Sequence, residues 1–438
     1  MFLPLNISIK MNQNQHRREL NISSKPGKLC ELPWSGLTIN PDGNLVVCCS
    51  SVNPIIKHIS KVDDLQKFFT NSIEYNSMRQ KFKNNVFPEY CFTCEFKKSR
   101  GLSAPIDTWT ADVVPNNNPP KNLSNKDMPI LYLDLSLSNV CNQTCIMCGP
   151  LYSSKWYDLE KKIQKEQTEI ETMEGREGRL IEGKRLFMNK LSEEDFQKIL
   201  KVLPTVEVIQ LKGGEPLVEK RNFIVMSEAA RQKRPPRIVM TTNLSLISKD
   251  AWKAVEEYPR GKLGINISLD GIGKQYEWIR GGDYSNTMKN IERLCKSGHS
   301  ICVRTSLTLH SSFNVPEQIQ VIHDNTDIRE MDIGLVTSPT YTSNRLIPQP
   351  MLEEQKSRTA DAVNHYTQKG MKFHELENFY NVRCVNTLAD VLKMTQGETE
   401  IFYQQKLHQA KLWTDFFNKQ RGIAIQDHVP ELKRLFNY

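Results

Sequence analysis

Three thiols stand close together in the stretch Cys141-Asn142-Gln143-Thr144-Cys145-Ile146-Met147-Cys148, directly after the apolar run from Ile130 to Leu137. The C-x-x-x-C-x-x-C spacing places them on one tight loop. Thiolates gathered in this way can hold an iron-sulfur cluster by three corners, and a four-iron cubane held by three keeps one iron open to another ligand. An open iron of this kind is a reactive site. Cysteines that merely filled a core would have no reason to keep the spacing. Zinc is the rival metal, although its structural sites recruit a fourth protein ligand and commonly show paired C-x-x-C knuckles.

Four more cysteines form a second group: Cys30, Cys48 and the pair Cys91-Phe92-Thr93-Cys94. Leu37-Thr38-Ile39 and the run from Asn44 to Cys49 flank the turn Asn40-Pro41-Asp42-Gly43. That pattern predicts a hairpin bringing Cys30 and Cys48 to the same end. A helix is expected over 62–82. One, one and a pair suffice to close a metal site, either a fully ligated iron-sulfur cluster or a zinc. Cys49 is an extra thiol, a spare beside the site or a ligand in place of Cys48. Cys295, among Ile291, Leu294 and Gly298, reads as a core thiol, while Cys302 and Cys384 offer no spacing to argue from.

The elements that must position these groups follow from the apolar pattern. Over 127–340, six Ile/Val/Leu-rich runs (130–137, 206–211, 237–242, 263–269, 300–309 and 331–336) alternate with amphipathic stretches. Such a pattern predicts parallel strands covered on a face by helices, an α/β fold rolled into a partial (β/α)6 TIM-like barrel with ligands at the carboxyl ends of its strands. Polar groups stand at those ends. Lys212-Gly213-Gly214-Glu215-Pro216 joins two glycines, which let the backbone approach a ligand, to a carboxylate that can accept from an ammonium. Thr242-Asn243 and Ser268-Leu269-Asp270-Gly271 end the next two strands, the latter also readable as a plain turn. Arg280 and Arg304 are candidates for an anionic ligand or for ordinary ion pairs. The run 332–336 offers backbone contact only.

Around this barrel, residues 1–28 read as a loose polar tail, 29–104 as a small cysteine-rich hairpin and helix module, 105–126 as a Pro- and Asn-rich linker, and 341–438 as a helical region. Helices are expected there over 351–368, 388–394, 398–419 and 430–436, completing the barrel's open side or covering its mouth. The charged insertion 155–183 reads as an exposed helical arm.

Composition narrows the function classes. A chain of 438 residues with 39% hydrophobic and 25% charged residues is an ordinary globular protein of two or three units. No apolar run approaches the roughly 18 residues of a membrane span, and the start, interrupted by Pro4 and Asn6, lacks a signal-peptide layout. The expected place is the cytoplasm, where eleven cysteines point to metal rather than disulfides. The net charge of +8 is spread along the chain, as on a solvated surface, and does not mark a nucleic-acid binder.

The cysteine loop, the Gly213-Gly214-Glu215-Pro216 turn and the Ser268-Leu269-Asp270-Gly271 strand end together resemble the radical S-adenosylmethionine (radical SAM) superfamily. The resemblance implies that Cys141, Cys145 and Cys148 hold a catalytic 4Fe-4S cluster whose open iron chelates SAM. It implies that Gly213, Gly214, Glu215 and Pro216 hold the SAM amino group, that Asn243, Ser268 and Asp270 seat the rest from the ribose side, and that Arg280 and Arg304 serve its carboxylate or the substrate. One-electron reduction then yields a 5'-deoxyadenosyl radical that abstracts hydrogen from a substrate.

The C-x12-G-x4-C spacing of Cys30, Gly43 and Cys48, followed by Cys91 and Cys94 and accompanied by Trp34 and Arg79, is similar to SPASM/twitch auxiliary-cluster domains. Here that module precedes the barrel, whereas it usually follows it. No cysteine lies between Cys94 and Cys141 to supply a second auxiliary cluster, so one is expected. By analogy the partners would be SAM, a peptide or protein substrate, and an electron donor such as a flavodoxin or ferredoxin. Two other readings use the same residues differently: a zinc-stabilised, non-enzymatic binding protein, and a barrel that binds SAM for polar methyl transfer without needing the thiols.

Overall fold

A computed structural model describes residues 30–48, 51, 55–84, 86–91, 94–95, 128–150, 152–166, 191–336, 339–374, 376, 380 and 394–438. The expected tail (1–28) and linker (105–126), Cys49, Cys384, residues 167–183 of the insertion and residues 388–393 of an expected helix lie outside the described residues.

The strands are Gly36–Ile39 (β1), Asn44–Val46 (β2), Ile55–His58 (β3), Tyr132–Ser136 (β4), Val208–Lys212 (β5), Arg237–Thr242 (β6), Leu263–Ser268 (β7), Ser300–Leu307 (β8), Glu330–Leu335 (β9) and Lys372–His374 (β10). Among the described residues they form one sheet in the order β10-β9-β8-β7-β6-β5-β4-β1-β2-β3, whose two end strands are not joined to each other. From β4 to β10 every neighbouring pair is parallel. The architecture is the expected α/β one, open rather than a closed ring, and the six expected strands β4 to β9 form within two residues of the predicted runs. The sequence pattern did not single out β3 or β10, which are short and lie at the sheet's margins.

Along β5 to β8 the side chains alternate. Ile209, Leu211, Ile238, Met240, Ile265, Ile267, Val303 and Leu307 enter the main core. Gln210, Lys212, Thr241, Asn266, Ser268, Arg304 and Ser306 fall on the opposite face, half-buried. The apolar face is covered by Glu193–Val202 (α5), Lys220–Ala230 (α6), Lys249–Glu257 (α7), Tyr284–Cys295 (α9), Val315–Asn325 (α10) and Gln349–Gln368 (α11), numbered along the chain with those named below. Ser192, Ser248 and Asp283 start α5, α7 and α9 by accepting from backbone N–H groups of the first turn. Among the described residues no helix layer covers the polar face, so the sheet's two faces differ in character.

The amino-terminal module is built onto the edge of this sheet. β1 runs parallel to β4 with Gly36 opposite Tyr132, and β2 pairs antiparallel with β1 as the hairpin predicts. The helix expected over 62–82 is two, Leu65–Asn71 (α2) and Ile73–Lys83 (α3), because Ser72 leaves helical geometry and caps the second by accepting from Tyr75 N. Arg79 of α3 is 1% exposed. It donates to the carbonyls of Pro33 (2.8 Å), Phe69 (2.6 Å) and Thr70 (3.2 Å) and lies over the Phe69 and Tyr75 rings. It thereby ties α2 and α3 to Leu32–Ser35 (α1), the turn that follows Cys30.

A second core sits at the carboxyl ends of the strands. It gathers Trp156 and Ile163 of Trp156–Glu166 (α4), Trp278 and Ile279 of Gly273–Arg280 (α8), Trp413 and Phe417 of Gln396–Arg421 (α12), and Leu432 and Phe436 of Glu431–Phe436 (α13). Trp156 stacks on Trp413 with ring centres 5.9 Å apart. The start of the insertion is therefore no exposed arm: α4 is amphipathic, and its aromatic face is buried. The carboxyl-terminal helices α12 and α13 cover the mouth, one of the two placements expected.

Two predictions follow from the packing. Arg79→Leu leaves three buried carbonyls without a donor and is expected to cost about 3 kcal/mol, read by denaturant titration. His310, fully buried against Trp278, donates from Nε2 to Thr414 Oγ1 (2.8 Å), since that hydroxyl itself donates to Ala410 O. Burial pushes its pKa down to about 3. The unfolded chain therefore takes up this proton below about pH 6.5 while the folded chain does not, and stability falls as pH drops from there towards 3, by up to about 1.4 kcal/mol per pH unit from this group. A His310→Gln variant should show a flatter fall over that range; an unchanged slope would exclude His310 as its source.

Candidate functional site

The loop that follows β4 has no regular structure, so its backbone groups find partners partly within the loop and partly on other elements. Ile279 O, at the end of α8, accepts from Ile146 N (2.9 Å), and Trp156 Nε1 donates to Cys145 O (3.2 Å). Ser153 Oγ donates to Gln143 O (2.6 Å). From the other side, Gly214 N donates to Ser138 O (3.0 Å) and Glu215 N to Val140 O (2.8 Å). The glycines are required by this contact as much as by any ligand. Gly213 has φ +117°, where a side chain is strained, and a Cβ there would stand 2.7 Å from Ser138 O; a Cβ on Gly214 would stand closer still to Val140 O.

On this loop Cys145 is buried and Cys141 and Cys148 are half-buried. Burial pushes Cys141 up to about 11 and Cys148 to about 12, and in each the neighbouring Cys145 adds to the rise, so the three thiols act on one another. Met147 and Cys148 pack on the second core, which keeps that side of the loop dry.

The strand ends close around the loop. Glu215, 3% exposed, accepts from Thr242 Oγ1 (2.6 Å) and Leu217 N (3.0 Å) at Oε1 and from Asn243 N (2.7 Å) at Oε2. Asn243 in turn donates to Asn142 Oδ1 (2.9 Å) and lies with Nδ2 3.9 Å from Cys141 Sγ. Next to it Leu244 holds φ +51°, an uncommon conformation for a non-glycine residue. Pro216 is buried, and its carbonyl accepts from Asn222 Nδ2 (3.1 Å). Asp270, wholly buried, accepts from Ser306 N (2.6 Å) and pairs with Arg280, which also donates to Gln143 Oε1 (3.2 Å). Ser268 lies half-buried beside Arg304 in register. Arg304 is ion-paired with Asp332 on β9, away from the loop. Both candidate arginines thus carry protein partners, and only Arg280 touches the cysteine loop.

Sequence reasoning missed Asp134, Lys212 and Asp332. Lys212 pairs with Asp134 (2.5 Å), and burial raises the Asp134 pKa against the pull of that lysine. With Arg304 and Asp332 they put two ion pairs on the polar face, and in each acid one buried carboxylate oxygen has no partner among the described residues. The period-two alternation of charge along the strands was the signal available for them.

The second cysteine group lies at the other end of the sheet. Cys30 and Cys48 pack together with Leu32, Tyr132 and Val208, the last two being the first residues of β4 and β5. Cys94 acts electrostatically on Cys30, and Cys91, like Cys30, packs against the main core. The amino-terminal group therefore sits at the amino ends of the strands and the 141–148 loop at their carboxyl ends, with the polar face between.

Residues 135–324 match the radical SAM superfamily, and residues 30–95 match the SPASM iron-sulfur cluster-binding domain. The chain therefore carries a radical SAM domain over 135–324. More particularly, a SPASM domain precedes that radical SAM domain, a pairing that implies a 4Fe-4S cluster and SAM with further iron-sulfur ligation.

Curated relatives include the GTP 3',8-cyclase of Peptoclostridium acidaminophilum, 26% identical over 222 residues, covering 50% of this chain and 58% of the relative. That of Mannheimia succiniciproducens is 25% identical over 174 residues, covering 38% and 42%. The chain thus spans about half the length of the curated relatives it matches. Among solved structures, Streptococcus suis SuiB bound to S-adenosylmethionine aligns over 80% of this chain and 72% of that one, at 15% identity and TM-score 0.40. SuiB bound to its precursor peptide SuiA aligns over 78% and 71%, at 14% and 0.40.

The donor set at 141–148 fits a cluster. Three thiols act on one another on a braced loop with an apolar flank. Among the described residues no three His, Cys, Asp or Glu side chains converge as a single metal ion would require. Ligands that each take a different iron of a cubane need no such convergence. No helix among the described residues is long and apolar enough to cross a membrane.

Gly214→Ala is expected to force the loop away from β5, lowering stability by about 2 kcal/mol and speeding the reaction of Cys141 with a thiol reagent in metal-free protein. An unchanged melting curve and thiol rate would show that the loop does not depend on this contact.

Proposed function

We infer that this protein is a radical SAM enzyme that cleaves SAM reductively and abstracts hydrogen from a peptide or protein side chain. The observation that carries the reading is the braced loop bearing Cys141, Cys145 and Cys148 at the carboxyl ends of the strands, next to the polar face of the sheet. Those cysteines would hold the catalytic 4Fe-4S cluster, and Cys30, Cys48, Cys91 and Cys94 one auxiliary cluster. When bound, the catalytic cluster and SAM supply a 5'-deoxyadenosyl radical after one-electron reduction.

The chain's own residues do the rest. Gly213, Gly214, Glu215 and Pro216 form the turn beside the loop where SAM would lie, with Asn243, Ser268 and Asp270 at the next strand ends. Glu215 already accepts three hydrogen bonds and keeps capacity for about one more, enough for an ammonium N–H. The second core keeps water from the loop's outer side. A substrate on the polar face would lie between the two cysteine groups, within reach of Lys212, Asp134, Arg304 and Asp332. The electron donor in this reading is a flavodoxin or ferredoxin. A peptide is bound in one SuiB structure, whereas the curated relatives are named for GTP, so GTP is the comparison substrate.

Anaerobic reconstitution tests this directly. Iron and sulfide should bind, and reductant with SAM should release 5'-deoxyadenosine, faster with peptide than with GTP. Cys145→Ala should retain the amino-terminal iron and lose all 5'-deoxyadenosine. Colourless protein with stoichiometric zinc, or a Cys145→Ala variant of wild-type activity, would refute the reading.

A further inference from the structure

Arg421 is the last residue of α12, yet it reaches the cysteine loop across 277 residues of sequence. Its Nη2 donates to Thr144 O (2.6 Å), the carbonyl just before Cys145, and its Nε to Trp278 O (3.3 Å). The guanidinium can do so because Gly281 has no side chain. At φ +69° that glycine ends α8 in the left-handed region, and a Cβ there would stand 2.6 Å from Arg421. Phe417, one turn back on α12, lies under the guanidinium at 5.2 Å and is itself fixed by Trp156 and Trp413. The carboxyl-terminal helix therefore delivers one cation to one place on the loop.

The charge balance there is uneven. Arg280, the other guanidinium beside Cys145, is neutralised by Asp270. Arg421 has no carboxylate partner among the described residues, and through Thr144 O its guanidinium is held next to Cys145, whose thiolate form would favour the charged arginine. A half-buried cation without a counter-ion is costly, and a site that keeps one is suited to an anion. Thiolate-bound iron-sulfur clusters are anionic, and reduction adds a further negative charge. Charge and hydrogen bonding around the sulfurs are levers on their potential.

We propose that Arg421 is a positioning residue that holds the loop through Thr144 and Trp278 and sets the cluster's reduction potential by placing an uncompensated positive charge beside Cys145. The proposal rests on the cluster assignment at Cys141, Cys145 and Cys148. A neutral residue at 421 would make the cluster harder to reduce; a lysine, which keeps the charge but cannot bridge both carbonyls, would preserve the potential while loosening the loop.

The test is a redox titration of the reconstituted full-length protein, followed by the electron spin resonance of the reduced cluster, for wild type, Arg421→Lys and Arg421→Gln. The signal of the 141–148 loop is identified by its loss in a Cys141/Cys145/Cys148 triple alanine variant. If that variant loses no signal and no iron, the cluster assignment itself fails. With the assignment intact, Arg421→Gln is expected to lower the reduced-to-oxidised ratio at a fixed potential about tenfold, about 59 mV for one electron, and Arg421→Lys by less than a third of that shift. A wild-type midpoint in Arg421→Gln, or an equal shift in Arg421→Lys, overturns the proposal. If Arg421→Gln binds no cluster, Arg421→Lys decides: iron retained at the wild-type midpoint supports it, and iron lost alike overturns it.

Discussion

Everything at this site depends on holding an irregular loop still. The segment between β4 and α4 satisfies only part of its own backbone, through bonds such as Cys148 N to Cys145 O and Ser154 N to Asn139 O, so the other carbonyls and amides that leave solvent must be met by groups fixed elsewhere. Those groups come from four directions: the turn after β5, the end of α8, the Trp156 indole of α4 and the end of α12. None of the four is adjacent to the loop in sequence except α4. The thiols are therefore positioned by tertiary contacts, which is what a ligand set needs if its geometry is to be kept within a fraction of an ångström.

The glycines show how tight that fit is. Gly213 and Gly214 allow the β5 turn to meet Ser138 and Val140, Gly281 lets Arg421 pass, and Gly282 has no room for a side chain beside Gln143. Motifs that read as ligand-approach glycines are, in this fold, also the seams where separate elements close on the loop. The same residues can serve both purposes, since a backbone that can approach a neighbouring chain closely can also approach a ligand.

The sheet explains why the two cysteine groups lie at opposite ends of its strands. Parallel strands with helices on one face bury their apolar residues outward, and the alternate residues are left for function. Adding β1 parallel to β4 carries the amino-terminal module to the sheet's edge and sets Cys30 and Cys48 beside the first residues of β4 and β5. A module that comes before the barrel in sequence thus reaches the amino ends of its strands without a long excursion.

Much of this was legible beforehand. Thiol spacing, the six apolar runs and the Gly-Gly-Glu-Pro turn are local patterns, and local chemistry dictates them: a cluster's corners set cysteine spacing, and strand burial sets apolar runs. The short strands β3 and β10, the break at Ser72 and the buried face of α4 were not legible, because each is decided by what it packs against. The partners of Arg280, Arg304 and Asp270, and the arrival of Arg421 beside Cys145, likewise depend on distances between residues far apart in the chain. By itself the sequence determined which chemistry-bearing groups the protein carries and their spacing along the chain. Only the folded chain decided where its charges sit relative to that chemistry, because the energy of a charge depends on the neighbours and burial that tertiary packing alone creates.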